Sequence, residues 1–472
     1  VTTIGTHLSW WGEHLLAGDD RGVALVHGKH VITRQAVRDQ VVAEATIFAS
    51  HGIGPGSTVA LRLPPSFTSV WALLALWSLG AQVLLLDHRL KPAEVERMLR
   101  LYRPAYYVRS LDPPAAVTAF RNEYEVFVEW RRDGQNAASE HRLVQLSSGS
   151  TGRPKVIGRT AESLLAEIDR FSLIDGMPRR GERVLLLNSV IHSFGLLGGL
   201  LHGLNSGATT VFTSHLQPDA LLRTFVDHEI NVVFGVPFHF DLLTRVSRAP
   251  TLPALRLAVS GGERLTPEVH QRFHERYGVR IGQAYGMTEV GIIATDLAGE
   301  FPLPAVGRPA PGVRVAIVDG ELHIGLPETP YLQQDNKVRF ADGWLRSFDL
   351  CEEKSGVLSI TGRADSLVVI GGLKIDLTEI EAVLAEHPRV AEVVVMHDRG
   401  IEAHVGSPDG VSVSDLAAFC RTRLSNYKIP KRFTILPALP RTANGKLLRN
   451  VELLRDSEVR RSPRRAGASD FG

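Results

Sequence analysis

LRLAVSGG, Leu255 to Gly262, and IGQAYG, Ile281 to Gly286, are two short apolar runs that each end on glycine. They have the length of strands buried on both faces, and a terminal glycine lets the backbone turn or approach a ligand closely. The same form recurs upstream: STVALRLP from Ser57, AQVLLLD at Ala81 to Asp87, VLLLNSV from Val184, ATTVF from Ala208 and VVFGVP from Val232. Between these runs lie segments of helical spacing. Val37, Val41, Ala45 and Phe48 recur within Gln35 to Ser50, VWALLALWSLG covers Val70 to Gly80, and a further helix is expected near Gly195 to Leu204. Strands and helices alternating in this way predict an α/β fold with mostly parallel, helix-covered sheets.

Past Arg308 the texture changes. PGVRVAIVDGELHIG predicts a tight β-hairpin turning on Asp-Gly, within a β-rich subdomain. After TGRAD at Thr361 a smaller α+β unit is expected: a strand, a helix from about Leu377 to Glu386, the strand AEVVVMH, a helix from Ser414 to Leu424 and a final strand near Arg432. The expected organisation is a large N-terminal domain over 1–363, a small mobile C-terminal domain over 364–454, and a flexible tail over 455–472, where RSPRRAGASDFG has the composition of a disordered end.

Composition narrows the class. A chain of 472 residues is long for one domain and ample for a large core. Lys and Arg total 53 against 51 Asp and Glu, so a net charge of +2 gives no global argument for nucleic acid. Two cysteines, Cys351 and Cys420, argue against a disulfide scaffold or a thiolate zinc site. VTTIGTHLSWWGEH lacks the basic-then-apolar pattern of a secretory leader, and the longest apolar run is short for a membrane span. A cytoplasmic location is expected.

The chemistry concentrates in a few polar runs. LVQLSSGSTGRPKVIGRT, Leu143 to Thr160, precedes a helical-looking segment. Its Gly149, Gly152 and the hydroxyls of Ser147, Ser148, Ser150 and Thr151 suit phosphate oxygens, and Lys155 adds an ammonium. The spacing is not that of a Walker A loop, and by composition alone an ordinary surface loop is an equal alternative. GQAYGMTEVG offers an aromatic ring at Tyr285, a hydroxyl at Thr288 and a carboxylate at Glu289, a group able to hold Mg²⁺. GWLRSFDL carries Asp349; TGRADSLVVIGGLKID carries Arg363, Asp365 and Lys374; LPRTANGKLLRN carries Lys446. Singly, each suits a solvated turn, a surface charge or a helix cap. Such runs at distant points of one chain are hard to explain as loops alone.

In that order they resemble the core motifs of the adenylate-forming superfamily, which comprises acyl- and aryl-CoA ligases, adenylation domains and luciferases. SSGSTGRPK is similar to its phosphate loop, YGMTE to its aromatic-to-acid motif, GRADSLVVIGGLKIDLTEIE to the start of its mobile small domain, and PRTANGK to its terminal lysine motif. The resemblance covers nearly the whole chain, and the feel is that of a bacterial acyl- or aryl-CoA ligase. It implies ATP and Mg²⁺ as cofactors, an acyl-adenylate with release of pyrophosphate, and transfer to the thiol of CoA or of a carrier-protein phosphopantetheine.

By the same resemblance, Ser147 to Lys155 holds the pyrophosphate end, Thr288 lies near the α-phosphate and Glu289 binds the metal. Adenine lies between Tyr285, with Gly286 beside it, and the backbone of Gly261, Gly262 and Glu263. Asp349 takes the ribose hydroxyls and Arg363 supports it. Lys446 reaches the reacting carboxylate and α-phosphate. Asp365 is the hinge about which the small domain turns, and Gly371, Gly372 and Lys374 then face the thioester step.

The acid pocket is expected at NSVIHSFGLLGGL, where His192, Ser193, Phe194 and Gly195, with Met287 opposite, line it. His192 either orients the carboxylate or gates the pocket; the alternative is a packing histidine beside Phe194. With no carboxylate near His192 in the sequence, an α-ammonium would go unpaired, so an aryl or aliphatic acid is expected rather than an α-amino acid. Two departures stand out: Phe348 before Asp349, where the family has glycine, and Leu377 in place of a proline. Lys428, Lys431 and Arg432 are expected to meet CoA phosphates, an acidic carrier surface or water. The acceptor alternatives are CoA, a carrier-protein thiol and an amine. Monomer and homodimer both stay open.

Overall fold

The computed structural model describes residues 10–111, 120–147, 155–246, 250–332, 338–363 and 367–440. All seven predicted apolar runs form strands, five in one sheet and two in its companion, and Val23–His27 joins the first as a strand that the sequence did not reveal. Val23–His27, Thr209–Phe212, Arg183–Leu186, Val232–Gly235, Leu257–Gly261 and Ile281–Met287 lie side by side in that order, every pairing parallel. Thr58–Arg62, Gln82–Leu85 and Tyr106–Arg109 pair in parallel in a second sheet. That sheet closes through His141–Ser147, parallel to Gln82–Leu85, and the antiparallel Lys155–Thr160.

The two sheets are held together by apolar helices. Phe67–Ser78 is buried nearly all round, as its unbroken apolar sequence requires. Ser66 caps it by accepting from Ser69 N at 3.0 Å, while Ser66 N donates back to Ser69 Oγ at 3.2 Å. Trp77 and Phe48 sit fully buried in the shared core, with Trp77 Nε1 donating to Arg142 O at 2.9 Å.

Beyond Ile281–Met287 the sheet continues in antiparallel strands, which form the β-rich part. The predicted hairpin is there. Arg314–Val318 pairs with Glu321–Gly325, and both turn residues take positive φ, 51° at Asp319 and 79° at Gly320, as a type I′ turn requires. The small C-terminal unit has its own core. Helices Leu377–Ala385 and Val413–Arg423 pack with strands Glu392–His397, Ile401–Gly406 and Arg432–Leu436 around Ile380, Leu384, Val405 and Leu416.

Three details differ from the sequence expectation. The segment after the serine-rich loop is a strand, Lys155–Thr160, before the helix Ala161–Leu173 begins. The expected helix near Gly195 starts as a π-helix, Phe194–Leu201, and turns α-helical over His202–Ser206. Ile401–Gly406 is a central strand of the small unit that the sequence did not reveal.

Candidate functional site

The parallel strand Leu257–Gly261 ends opposite Ala284 of Ile281–Met287, and two cavities open around their C-terminal ends, where open α/β sheets bind ligands. The larger, of about 350 Å³, is walled by Gly262, Glu263, Tyr285, Gly286, Glu289, Asp349, Arg363 and Lys374, among others. The second, of about 220 Å³, is walled by His192, Ser193, Phe194, Thr288 and Met287 from the large unit and by Gly372 and Lys374 from the small one. Gly262, Ala284, Gly286, Met287 and Lys374 line both, so the cavities meet along one strand end.

In the larger cavity Tyr285 Oη donates to Asp349 Oδ2 at 2.5 Å, and Arg363 Nη1 donates to Asp349 Oδ1 at 2.6 Å. Burial pushes the Tyr285 hydroxyl well above its ordinary pKa and the Asp349 charge adds to this, so the phenol keeps its proton. Phe348 adopts φ 60°, the left-handed conformation a glycine takes readily. Its ring lies under the guanidiniums of Arg339 and Arg346, 4.4 and 4.8 Å from its centroid. The backbone turn that aims Asp349 is thus kept by a different side chain, at a strain of about 1–3 kcal/mol against the cation–π contacts.

Glu289 is buried; it accepts from Tyr331 Oη at 3.3 Å and lies 3.7 Å from Arg339 Nη1. Among the described residues there is no cluster of three His, Cys, Asp or Glu side chains that would form a protein-built metal site. One carboxylate fits Mg²⁺ of the kind that arrives on phosphates and keeps most of its waters. Arg339 was not singled out in the sequence, and it is the cation such an ion would sit beside.

At the second cavity His192 follows the strand Arg183–Leu186 and lines the cavity at a solvent-exposed position. Burial lowers its pKa, Asp87 opposes this, and Arg89 and Lys374 lower it further, so the imidazole is neutral at neutral pH. Ser193 Oγ donates to Gln145 Oε1 at 3.0 Å, and Gln145 Nε2 donates to Ile191 O at 2.7 Å, which fixes the loop. Phe194 packs on Phe234, with ring centroids 5.2 Å apart. Gly195 and Gly261 are buried and lie behind the walls, outside the lining.

The structure corrects the expectation of no carboxylate here. Asp87 and Glu167, far apart in sequence, both line the second cavity. Burial would raise the Asp87 carboxyl, but Arg89, hydrogen-bonded at 2.6 Å, holds it down at about 2. Glu167 pairs with Arg159 Nη1 at 2.9 Å.

The small unit enters through the hairpin Leu367–Ile370 and Leu373–Asp376, whose turn residues Gly371 and Gly372 have φ 57° and 77°. Gly372 N donates to Glu263 Oε2 at 3.0 Å, and a Cβ at Gly372 would come within 2.7 Å of Val236 Cγ1. Only glycine allows that approach. Burial raises the Glu263 carboxyl, and the Gly372 and Gly371 amides draw it back. Burial lowers the Lys374 ammonium, which Glu289 and Asp349 oppose and Arg363 and Arg339 reinforce.

Lys428 corrects another expectation. Instead of facing a phosphate or water it is buried, 2.9 Å from Glu94 of the large unit and 3.0 Å from Glu379 of its own. Lys431 and Arg432 are exposed. Lys155 is buried at the head of its strand, its ammonium 5.9 Å from the Tyr331 ring centroid, and lines neither cavity. Ser147 pairs with Lys155 across that strand pair, so the ends of the serine-rich loop are pinned together. Ser148, Gly149, Ser150, Thr151, Gly152, Asp365 and Lys446 lie outside the described residues.

A large α/β domain with two cavities meeting at its strand ends, closed by a small α+β domain, defines a nucleotide-dependent activating enzyme. The pattern for the AMP-binding enzyme family matches residues 16–327, and that for the AMP-binding enzyme C-terminal domain matches residues 379–446. The chain belongs to this family, the adenylate-forming enzymes resembling bacterial acyl- and aryl-CoA ligases. It is 26% identical to 2-succinylbenzoate–CoA ligase of Bacillus licheniformis over 94% of this chain and 99% of that one. To the oxalate–CoA ligase of Arabidopsis thaliana it is 27% identical, over 92% and 95%. Two structures of o-succinylbenzoate CoA synthetase from Bacillus subtilis, both 25% identical, differ in their likeness. The complex of its double mutant with a CoA product analogue superposes with a TM-score of 0.81, covering 94% of this chain and 98% of that one. The AMP complex superposes at 0.65, covering 93% and 97%. Among the described residues no helix is long and apolar enough to cross a membrane.

Proposed function

We propose that this enzyme joins an aryl or aliphatic carboxylic acid to ATP, releases pyrophosphate, and passes the acyl group of the resulting adenylate to the thiol of CoA. The observation that carries this is the meeting of the two cavities at Gly286, Met287 and Lys374. A nucleotide in the larger cavity and an acid in the smaller would present their reacting ends to each other there, which supplies the orientation a two-substrate reaction needs.

Tyr285 stacks on adenine, and Asp349, positioned by Arg363, accepts from the ribose hydroxyls. Ser147 to Lys155 cradles the pyrophosphate. Thr288 donates to the α-phosphate. Glu289 would hold Mg²⁺, which supplies charge neutralisation on the phosphates. Lys446 contacts the carboxylate and α-phosphate during adenylation. Neutral His192 orients the acid without adding charge of its own.

The small domain, taken as 364–454 with 1–363 as the large one and 455–472 as a tail, turns about Asp365 between the two steps. In the present arrangement Gly372 and Lys374 line the site with Gly371 in the exposed turn beside them, and the likeness at 0.81 to a CoA-product complex against 0.65 to an AMP complex supports reading it as the thioester-forming one. Of the other acceptors, a carrier-protein thiol or an amine, neither has a specific observation in its favour.

The test is acid-dependent ATP–pyrophosphate exchange over aryl, aliphatic and α-amino acids, with Lys446→Ala as control, followed by CoA addition. Exchange with one aryl or aliphatic class, lost in the control, and a thioester formed on free CoA are the expected results. Exchange driven by an α-amino acid would overturn the acid class, and adenylation that never discharges onto CoA would overturn the acceptor.

A further inference from the structure

We infer that Arg97, with Arg421 on the other side of the seam between the two units, holds the phosphates of CoA while the thiol arm enters the second cavity. This rests on the CoA acceptor proposed above. With a nucleotide in the larger cavity and an acid in the second, the thiol has to reach the junction at Gly286, Met287 and Lys374 by a free side. The second cavity offers one where the units meet, since Leu90 and Met98 of the large unit and Tyr427 of the small one wall it there. At about 220 Å³ it has no room for the nucleotide end of CoA beside the acid. The phosphates therefore stay outside, at the surface of the seam.

The cations nearer the cavity are committed. Lys428 is buried between Glu94 and Glu379, Arg89 donates to Asp87 at 2.6 Å, and Lys374 stands at the junction with the nucleotide. Arg97 is not. It precedes the cavity-lining Met98 on helix Pro92–Tyr102, its side chain is 34% exposed, and it makes no hydrogen bond among the described residues. Its Nη2 lies 3.8 Å from Glu379 Oε1. A guanidinium placed there only to serve that carboxylate would close to the roughly 2.8 Å of a charge-assisted hydrogen bond.

Helix Val413–Arg423 of the small unit packs on Pro92–Tyr102 and leads into Ser425, which donates to Glu94. Arg421, in the last turn of that helix, is exposed and has neither a hydrogen bond nor an ion pair among the described residues. Each unit thus brings to the seam one guanidinium whose donors are unspent, and that planar fork matches phosphate. A phosphate held by both would also favour the docked arrangement, because parting the units removes one of its partners.

The experiment is calorimetric titration, at saturating AMP, of CoA and of pantetheine, which carries the thiol arm without the phosphates. Wild type is expected to bind CoA at least about 10-fold more tightly. Arg97→Gln should weaken CoA about 5- to 20-fold and leave pantetheine within about twofold, and Arg97→Lys, which keeps the charge, should recover part of the loss. Arg421→Gln should act in the same direction; unchanged CoA affinity there would remove Arg421 from the site. Unchanged CoA affinity in Arg97→Gln would overturn the assignment. So would an equal loss for both ligands, which would make Arg97 a brace between the units. CoA binding that depends on Arg97 without thioester formation would remove the acceptor reading and leave the phosphate site; thioester formation on CoA with no dependence on Arg97 would do the reverse.

Discussion

Replacing Lys428 with methionine should slow thioester formation and spare adenylation. Lys428 Nζ lies 2.9 Å from Glu94 and 3.0 Å from Glu379, and all three side chains are buried. Burial pulls the ammonium down, but Glu379 and Glu94 more than offset this and raise it, so the lysine stays charged. Ser425 Oγ also donates to Glu94, which ties the small unit to the large one at the same point. In the methionine variant two carboxylates stay buried together, with Arg97, 3.8 Å from Glu379, the nearest cation left to them among the described residues. Removing one partner of a buried ion pair costs about 3–5 kcal/mol. Glu94 and Glu379 belong to different units and would regain water in the proposed turning of the small unit. The cost therefore falls on the docked arrangement and not on either fold. It amounts to roughly two to three and a half orders of magnitude in the docking equilibrium. The assay is the rate of CoA thioester formation alongside ATP–pyrophosphate exchange on the same protein. A thioester rate within about threefold of wild type would refute the reasoning, since a change of about 3 kcal/mol in docking cannot hide at that level. Joint loss of both half-reactions with a lowered melting temperature would instead make Lys428 part of the fold. The triple change Glu94→Gln, Glu379→Gln, Lys428→Met removes the net charge and should recover part of the thioester rate.

Asp349→Asn should weaken AMP binding about 10- to 100-fold by calorimetry, because the Tyr285 and Arg363 donors lose a charged acceptor; unchanged affinity would separate Asp349 from nucleotide recognition. His202 and His239 are buried, and burial lowers each from 6.5 to about 4. Between those values the unfolded chain binds protons that the folded chain refuses, so stability is full above about pH 6.5 and falls as pH drops. From pH 7 to pH 5 each should cost about 2 kcal/mol in urea unfolding. His202→Gln should lessen that loss by about the same amount, and a pH dependence equal to wild type would contradict it.

Much of the fold was legible because its strands are apolar runs of the right length, from Ala81–Asp87 through Ile281–Gly286. Where polar residues interrupt a run the sequence concealed the strand. Ile401–Gly406 carries Glu402 and His404, both buried in the middle of its sheet, and its pattern resembles a surface turn. The site divides along the same line. Tyr285, Thr288, Glu289, Asp349 and Lys374 announce themselves in glycine-bearing motifs, and each lines a cavity. Asp87, Arg159, Glu167, Arg339 and Lys428 do not, since each is a single charge inside an ordinary helix, strand or turn, and only packing gives it a partner.

That division has a chemical logic. Groups that touch phosphate need flexible backbone and exposed donors, and both leave a mark in composition. Groups that wall the acid cavity or join the two units are buried charges matched to particular partners. Their chemistry exists only at the pairing distance, such as the 2.9 Å between Arg159 and Glu167 or between Lys428 and Glu94. What is common to adenylating enzymes is therefore legible in this chain as motif. What the motifs leave out is a set of buried ion pairs at the cavity, whose members are 8 residues apart in one case and 334 apart in the other.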